Sequence, residues 1–451
     1  MSLVARIAKL ACLGAFLAVP QIGAAETLGD ALISAYRNSN LLEQNRAVLR
    51  AADEDVAQAV SSLRPVISFS ASGTYANVAG IDGLSTSVGL TGQMTLYDFG
   101  RNKASVAAAK ASVLATRQAL IGVEQSVLLT AVRAYVLVRQ TQEVVLLREA
   151  NVRLIGQELR EAQDRFELGE ITRTDVSIAE AQLARARSEL AGAQGDFMIA
   201  RENYKLAVGN YPGQLSVPPR SPAIPRTIEE AREIALRTHP TILQLQHQVT
   251  AVEANLERAK AEFGPSLQGS ASITDGRGAV ERQSLTLQLN QTIYAGGRTS
   301  SIYRQALAQR DITRAQLQQA AAVVTQGVGE AWANLAVASA SIEASDRQIR
   351  SAQTAFDGVK QEAELGSRTT LDVLDAEQDL LDARTNRLIA ESSRYSGVYA
   401  LLSSMGLMTA SHLQLGIPTY DPDAYYNAVK NAPATSSQGK RLDKVLKAIG
   451  K

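Results

Sequence analysis

The chain has 451 residues, and its 46 Lys and Arg residues nearly balance its 45 Asp and Glu residues, which leaves a formal net charge of +1. A surface that binds nucleic acid usually shows as a basic excess, so this balance argues against nucleic acid as the main partner. Three His residues and one Cys are too few for a His/Cys metal cluster, a redox pair or a disulfide. The composition therefore points away from an enzyme, and no cofactor is expected.

Residues 1–25 have the pattern of a secretory signal peptide. Basic residues precede an apolar run at 10–19, and small residues come just before Glu26. This order predicts export and cleavage after Ala25. Cys12 lies inside the segment and fits a lipoprotein acceptor poorly, because hardly any apolar run precedes it. Beyond the segment no window approaches 18 uninterrupted apolar residues, so we expect no membrane-spanning helix.

The rest of the chain contains one pattern twice. The residues at 96–101, Leu-Tyr-Asp-Phe-Gly-Arg, match Ile-Tyr-Ala-Gly-Gly-Arg at 293–298, and Glu-Leu-Gly occurs at both 167–169 and 364–366. Self-similarity at one offset of about 200 residues indicates a tandem duplication. The boundaries that we predict are a first repeat at 26–210, a proline-rich linker at 211–226, a second repeat at 227–408, and a C-terminal equatorial segment with a basic tail at 409–451.

Within each repeat the period changes from that of a helix to that of a strand and back. Capping residues and apolar residues at helical spacing predict the helices, and alternating apolar and small polar residues predict the strands. In the first repeat we predict a helix at 27–63, strands at about 66–76 and 86–97, a long helix at about 101–167 and a return helix at about 172–208. In the second we predict a helix at 227–262 with a break at His239, strands at about 266–274 and 284–294, a long helix at about 298–364 and a return helix at about 369–406.

The strands alternate in the way of an outer-membrane barrel. In 67–72, Ile-Ser-Phe-Ser-Ala-Ser, one face is apolar and the other carries hydroxyl groups, and 285–290, Leu-Thr-Leu-Gln-Leu-Asn, repeats the pattern. Two hairpins half-buried on a soluble domain would show the same alternation. Because even a packed barrel takes about eight strands to close, a membrane location for four strands requires several chains to share one barrel.

The long helices carry heptad repeats. Val106, Val113, Leu120 and Val127 recur every seven residues, which is typical of coiled coils. A helix of the predicted length would span about 100 Å at about 1.5 Å per residue. The first helix and the return helix together match the long helix in length, so stacking them end to end would lay them along it. We therefore expect a rod with the strands at one end and a helical turn at the other.

The chain resembles the TolC family of outer-membrane factors over about residues 26–410. The resemblance rests on the signal peptide, the duplicated order of elements and the two motifs Tyr-Asp-Phe-Gly-Arg at 97–101 and Tyr-Ala-Gly-Gly-Arg at 294–298. It implies an α+β membrane protein, a homotrimer with a 12-stranded outer-membrane β-barrel that takes four strands from each chain and continues into a long α-helical coiled-coil tunnel. It also implies a location in the outer membrane of a Gram-negative bacterium, spanning into the periplasm.

The same resemblance implies how such a protein works. Members of that family dock on an inner-membrane pump, of the ABC or the proton-driven kind, through a periplasmic adaptor (membrane fusion) protein. They pass substrates outward without chemistry of their own, so no catalytic residue is expected. We favour type I protein secretion slightly over multidrug efflux as the purpose. The alternative is a periplasmic coiled-coil scaffold or adaptor protein that forms no channel and whose hairpins pack on a soluble domain.

The turns between the long and the return helices hold the residues most typical of a gate. Asp372 and Asp375 are three residues apart and so share one helical face. Repeated around a three-fold axis they would form two stacked acidic rings, and the resemblance makes them the pore constriction. It also makes Thr174, Asp175 and Arg368 the links that hold neighbouring coiled coils closed, with Arg368 donating to the other two. Alternatively, Thr and Asp simply cap the return helices.

Two further groups of residues complete the expected site. Leu168, Gly169, Leu365 and Gly366 are expected to contact the adaptor at the tips, although each Gly could also serve only the turn. The residues expected to manage the passage from strand to helix are Tyr97, Gly100, Arg101, Tyr294, Gly297 and Arg298. Tyrosine favours the interface between lipid and water, and glycine eases a sharp bend, so outer-membrane lipid is the expected partner at this level.

Overall fold

The computed structural model describes residues 25–78, 81–276, 282–430, 440, 441 and 444. The predicted signal peptide, apart from Ala25, and most of the predicted basic tail lie outside the described residues. The first repeat contains α1 (Leu28–Asn38), α2 (Asn40–Ser61), β1 (Val66–Val78), β2 (Ile81–Tyr97), α3 (Arg101–Glu167) and α4 (Arg173–Val208). The second repeat contains α5 (Ile228–Thr238), α6 (Pro240–Ala261), β3 (Ser266–Asp275), β4 (Arg282–Asn290), α7 (Arg298–Glu364) and α8 (Thr370–Ser404), and α9 (Pro422–Val429) follows.

The first helical segment of each repeat is two helices rather than one. The single helix predicted at 27–63 is wrong, because α1 ends and α2 begins at Ser39. Its backbone is extended, and its side chain accepts a hydrogen bond from the N–H of Leu42 at 3.2 Å. His239 has the same position between α5 and α6, where its ring Nδ1 accepts from the N–H of Thr241 at 3.3 Å. The predicted range 227–262 is therefore also two helices, with the break where Pro240 indicated it.

Each break lies beside the C-terminal end of the return helix from the same repeat. Asn38 Nδ2 donates to the carbonyl of Val208 at 3.2 Å, and Thr238 Oγ1 donates to the carbonyl of Met405 at 2.6 Å. In the first repeat α4 packs along the part of α3 far from the strands, and α2 packs along the part near them. The short helices and the return helix thus meet end to end beside the long helix.

The four strands form one antiparallel sheet in the order β1-β2-β3-β4. Phe69 lies opposite Leu90, and Leu90 lies opposite Ile273, so the apolar residues of neighbouring strands share one face. Within the described chain β1 and β4 do not pair with each other. Each protomer therefore presents two free strand edges.

Two strand boundaries differ from the prediction by more than two residues. β2 begins at Ile81 rather than near 86, because Ile81 and the residues after it continue the pairing with β1. β4 ends at Asn290 rather than at 294, because Asn290 is paired with Ser266, the first residue of β3. Residues after Asn290 have no further β3 partner to extend the ladder.

The largest hydrophobic cluster surrounds the middle of α3. Leu128 and Tyr135 are fully buried there, and burial of a side chain as large as Leu contributes about 1.5–3 kcal/mol. The Tyr135 hydroxyl donates to the carbonyl of Ser216 at 2.8 Å, and the Tyr204 hydroxyl donates to Glu26 Oε1 at 2.6 Å. These bonds tie the linker and the segment before α1 to the helices, at about half the length of the rod.

One helix of the described chain, α3, is long and apolar enough by composition to cross a membrane. We expected no such helix from the sequence. Half of its apolar window is buried inside the protein, where it contributes to the cluster around Leu128. That burial identifies the window as the core of a helical bundle.

Candidate functional site

The sheet has one apolar face and one polar face, and both are open in the chain. On the apolar face the exposed fraction is 70% for Ile67, 72% for Phe69 and 81% for Leu285. On the polar face, hydroxyl groups pair across strands, with Ser72 Oγ and Ser87 Oγ 2.9 Å apart. A continuous exposed apolar surface indicates contact with lipid or with another protein. The opposite face, lined by hydroxyl groups, suits contact with water.

Hydroxyl and amide side chains make up most of the polar face, which also includes Val66 and Gly89. The strand register places on it Ser68, Ser70, Ser72, Thr74, Ser85, Ser87, Thr91, Gln93, Thr95, Gln268, Ser270, Ser272, Thr274, Ser284, Thr286, Gln288 and Asn290. Among the described strand residues, the charged member of this face is Arg282, the first residue of β4, at the end of the sheet far from the helices. The polar face therefore offers many hydrogen-bonding groups and almost no fixed charge.

The two free strand edges determine how the sheet can be completed in a membrane. An edge strand presents unpaired N–H and C=O groups, which are costly in a membrane because hydrocarbon cannot satisfy them. Within the described chain β1 and β4 leave such edges open. A sheet whose apolar face meets lipid must therefore close against strands from other chains.

Gly100 and Gly297 form the passage from the sheet to the long helices. Their φ angles are 92° and 87°, in the left-handed region that favours glycine, and they precede the first helical residues Arg101 and Arg298. In the first repeat Asp98 caps the helix, since its carboxylate accepts two backbone N–H groups at 2.7 Å and 3.1 Å. The structure thus places these four predicted residues at the passage from strand to helix.

The two predicted interface tyrosines occupy different positions. Tyr97 ends β2 and packs edge-to-face on Phe99, with ring centroids 6.4 Å apart. Tyr294 was expected to end β4, and this expectation is wrong because β4 stops at Asn290. Its side chain is 87% exposed in the connection to α7.

The helical tips end the two coiled coils, which we name coil 1 (α3 with α4) and coil 2 (α7 with α8). Gly169 and Gly366 have φ angles of 79° and allow the chain to reverse. Leu168 and Leu365 precede them and are 76% and 86% exposed. Two large apolar side chains thus project from the tips, where the predicted adaptor contacts lie.

Asp372 caps the N-terminus of α8. Its Oδ2 accepts hydrogen bonds from the backbone N–H and the hydroxyl of Thr369, at 2.9 Å and 2.8 Å. These two bonds hold the pKa of the Asp372 carboxyl below its usual value. Asp375 follows at the next turn and is exposed. The first turns of α8 therefore carry two carboxylates one helical turn apart, and one of them, that of Asp372, also caps the helix.

Arg368 pairs within its own tip in the described chain. Its Nε donates to Glu362 Oε2 at 2.8 Å. Asp175 caps α4 as Asp372 caps α8, accepting from the N–H and the hydroxyl of Thr172 at 2.9 Å and 2.8 Å, while Thr174 is exposed. Among the described contacts of one protomer, none joins Arg368 to Thr174 or Asp175. A link between these residues stays a prediction about the closed assembly of several protomers.

Sequence reasoning missed a group of charged side chains between the two coils, two of which are buried. Lys360 Nζ on α7 donates to Glu158 Oε1 on α3 at 3.0 Å, and Glu377 on α8 is buried close to both. The helical period could have identified Glu377, because it lies between the buried residues Leu374 and Leu381 on the apolar side of α8. We call Glu158, Lys360 and Glu377 the inter-coil triad.

The described residues contain no group of three or more His, Cys, Asp or Glu side chains placed to hold a metal ion. His239 is occupied as the cap of α6, and burial lowers the pKa of its ring. What the described geometry offers is a two-faced sheet and two acidic helical tips.

A protein-family model described as outer membrane efflux protein matches residues 32–210 and 231–407, one match for each repeat. The chain is 35% identical over 419 residues to the outer membrane efflux protein BepC of Brucella suis biovar 1 (strain 1330), an alignment that covers 91% of this chain and 92% of that protein. It is 26% identical over 396 residues to the outer membrane protein TolC of Escherichia coli (strain K12), covering 79% of this chain and 80% of that protein.

A solved structure has the same fold. The crystal structure of the outer membrane protein VceC from Vibrio cholerae matches with a TM-score of 0.74 at 20% sequence identity. The match covers 84% of this chain and 96% of that chain. The combination of a four-stranded sheet and two long coiled coils is thus a known architecture.

Proposed function

The chain belongs to the outer membrane efflux protein family, and we propose that three copies of it share one barrel and one tunnel through which substrates leave the cell. Family membership confirms the predicted outer-membrane location, the channel function and the resemblance to TolC. It also confirms the predicted fold class of a barrel continued by a helical tunnel.

The open sheet is the observation that supports a trimer. Four strands with two free edges cannot close on themselves, and three copies related by a three-fold axis would supply 12 strands, within the range of transmembrane barrels. The apolar face with Phe69 and Leu285 would meet lipid, and the face with Ser72 would line the pore. Closure of this kind satisfies every edge N–H and C=O group.

The helices would extend the pore into the periplasm. α3 and α7 have 67 residues each, which corresponds to about 100 Å of helix at about 1.5 Å per residue. Asp372 and Asp375 would form two acidic rings where the tips of coil 2 converge. Thr174, Asp175 and Arg368 would hold neighbouring coils together, with Arg368 exchanging Glu362 for these partners on closure.

We propose that the exposed tips are the docking points for other proteins. A periplasmic adaptor would contact Leu168, Gly169, Leu365 and Gly366, because two leucines that are exposed at the turns favour an apolar contact. The adaptor would join the channel to an inner-membrane pump, of the ABC or the proton-driven kind. The pump would supply the energy, so the channel itself needs no catalytic residue and no cofactor.

For the cargo we propose polypeptides of the type I secretion route ahead of small-molecule drugs. The pore-facing strand residues are hydroxyl and amide groups with little fixed charge, and such a wall would not retain either acidic or basic stretches of a passing chain. Drug efflux is the second candidate, and the name of the similar Brucella protein favours it. Deleting the gene and measuring both drug susceptibility and secreted proteins would separate the two.

Single-channel recording in planar bilayers tests the channel and its constriction. We expect the detergent-purified protein to insert and conduct weakly with cation preference, and the double variant Asp372→Asn/Asp375→Asn to lose most of that preference because the acidic rings are gone. Asp164→Asn, an exposed carboxylate at the tip of coil 1, is the matched control and should change selectivity much less. A protein that stays soluble without detergent and never conducts would favour the periplasmic scaffold instead.

A further inference from the structure

Glu377 is a carboxylate buried where the two coils meet, near the tips. Its exposed fraction is 5%, and neither of its carboxylate oxygens has a hydrogen-bond partner among the described residues. A buried charge without a partner is costly, so such a group favours its neutral, protonated form. This environment is unusual for a residue on a coiled coil, whose charged side chains normally face water.

The charges around Glu377 come from two other helices. Glu158 on α3 is 8% exposed and acts on it with the same sign, whereas Lys360 on α7 acts with the opposite sign. Lys360 is already bonded to Glu158 at 3.0 Å, and Glu161 and Glu364 lie close enough to influence it. Arg165 of α3 lines the same cleft, but it is paired with Glu170 at 3.2 Å. One lysine is thus shared among several carboxylates, and an ionised Glu377 would leave the group with an excess of negative charge.

The fourth helix at this place adds no charge to the interface. α4 contributes Ala179 and Ala186 to a small apolar cluster that also contains Ile155 of α3 and Leu374 of α8. Leu374 precedes Glu377 by one turn, so the cluster and the inter-coil triad lie next to each other. Together they are the contact that joins coil 2 to coil 1 near the tips.

We propose that Glu377 is a proton-sensitive latch, which holds coil 1 and coil 2 together at the tip when it is protonated and favours their separation when it is ionised. This inference rests on the proposed function, in which the coils separate to open the periplasmic entrance. Separation would bring water to Glu377 and would leave the triad's negative charges far enough apart to be screened. The latch is distinct from the acidic rings, because Glu377 faces the neighbouring coil and not the pore.

The direction of the pH effect follows from the two environments. In the closed contact the pKa of Glu377 is raised to about 7, chiefly by burial and also by Glu158, with Lys360 acting in the opposite direction. In the open state, in water, the same carboxyl would titrate at its ordinary pKa of about 4.3. Between these values opening releases a proton, so the opening equilibrium should rise by up to about tenfold per pH unit and then level off above pH of about 7.

The test compares the whole protein with Glu377→Gln, which keeps the shape and stays neutral at every pH. Glu180→Gln is the matched control, because Glu180 is the residue of the first repeat at the same offset of 197 residues and is exposed on α4. In planar bilayers we expect the open probability of the original protein and of Glu180→Gln to rise between pH 5 and pH 7.5. Glu377→Gln should stay at the low-pH level throughout.

A second readout follows the contact itself and does not depend on conduction. Ala162 is 3% exposed beside Lys360, so Ala162→Cys, made in a Cys12→Ser background, should react with a maleimide only when the coils part. The rate relative to the same cysteine in the Glu377→Gln protein should rise with pH over the same window. A constant ratio, or an open probability that depends on pH equally with and without Glu377, would overturn the latch. Failure of the original protein to conduct at any pH would instead overturn the channel proposal, and the labelling ratio would still decide the latch.

Discussion

At the scale of single residues, Asp53 has surroundings that conflict with its charge. It is fully buried in α2, and neither carboxylate oxygen has a hydrogen-bond partner among the described residues. Burial raises the pKa of Asp53 to about 6, while Arg117 opposes that rise and Glu54 and Asp423 add to it. The protonated form therefore favours the folded state, and this contribution is complete below the ordinary pKa of Asp and is lost as pH rises through about 6.

We predict that Asp53→Asn stabilises the protein more at pH 8 than at pH 5, because the cost of burying Asp53 grows between its ordinary pKa of about 3.9 and its folded pKa of about 6. The amide removes a buried charge that exists only at the higher pH, and leaving such a group unsatisfied typically costs about 1–3 kcal/mol. The measurement is the Tm of the two proteins at both pH values. Asp55→Asn, two residues along the same helix and exposed, is the control and should leave both values unchanged. A gain at pH 5 equal to that at pH 8 would show that ionisation is not the cause.

At the tip of coil 2, the sequence predicted the positions of the charged residues better than it predicted which residues pair with each other. Asp372 and Asp375 could be placed on one helical face from their spacing alone, and the capping role of Asp372 follows from Thr369 three residues earlier. The partner of Arg368 could not be predicted, because Glu362 reaches it only through the reversal at Gly366. A sequence period describes one helix, and it carries no information about how two helices meet across a turn.

At the scale of elements, the end of each return helix fits against a break in the first helical segment. Gly209 ends α4 with a φ of 99°, and Gly406 follows α8 with a φ of 80°. A Cβ added to Gly209 would lie 2.8 Å from the side chain of Asn38. A Cβ added to Gly406 would lie 2.6 Å from the carbonyl oxygen of Thr238 and 2.7 Å from the Cα of His239. The second junction is closed by backbone, which cannot move aside as a side chain can.

We predict that Gly406→Ala destabilises the protein more than Gly209→Ala does. Both substitutions place a Cβ at a left-handed backbone, which costs about 1–2 kcal/mol, and Gly406→Ala adds a backbone clash. Gly192→Ala is the control, because Gly192 lies inside α4 with open space around it, and alanine there should stabilise by about 0.5–1 kcal/mol. Urea denaturation of the three variants gives the order. Equal losses at the two junctions would mean that the backbone around His239 yields as easily as Asn38.

The same junctions explain which elements could be predicted. The long helix was predicted at about 101–167 and is found at Arg101–Glu167, because uninterrupted heptads without proline indicate a helix unambiguously. The break at Ser39 was missed although Ser is a common N-cap residue, because no proline follows it as Pro240 follows His239. What requires the break is the approach of Val208, about 170 residues later in the chain. Contacts between distant segments determine such details, and a local pattern does not contain them.

At the scale of the whole molecule, the duplication was the most informative signal. Recognising two copies of one order of elements predicted the four-stranded sheet and the two coils together, and the register confirms that the alternating residues share faces. The inter-coil triad was beyond reach, because it requires α3, α7 and α8 to meet at one point. The repeats themselves do not predict it, because Glu158 and Lys360 correspond to uncharged residues of the other repeat, Ala355 and Gln163.

Two neighbouring residues of β4 test which face of the sheet meets lipid. Leu287 is on the apolar face with an exposed fraction of 65%, and Thr286 is on the polar face. Leu287→Arg places a charge against hydrocarbon, which costs about 2–4 kcal/mol in each protomer near the middle of the membrane, so we predict a large loss of folded protein in outer-membrane fractions. Thr286→Arg adds the same charge on the water side, and we predict normal amounts of protein with single-channel selectivity shifted toward anions. If instead Thr286→Arg blocks insertion and Leu287→Arg is tolerated, the sheet faces the other way. If neither substitution has an effect, the sheet is not the wall of a pore. In a closed barrel, an added cation on a strand must either hinder insertion from the lipid side or change ion selectivity from the pore side.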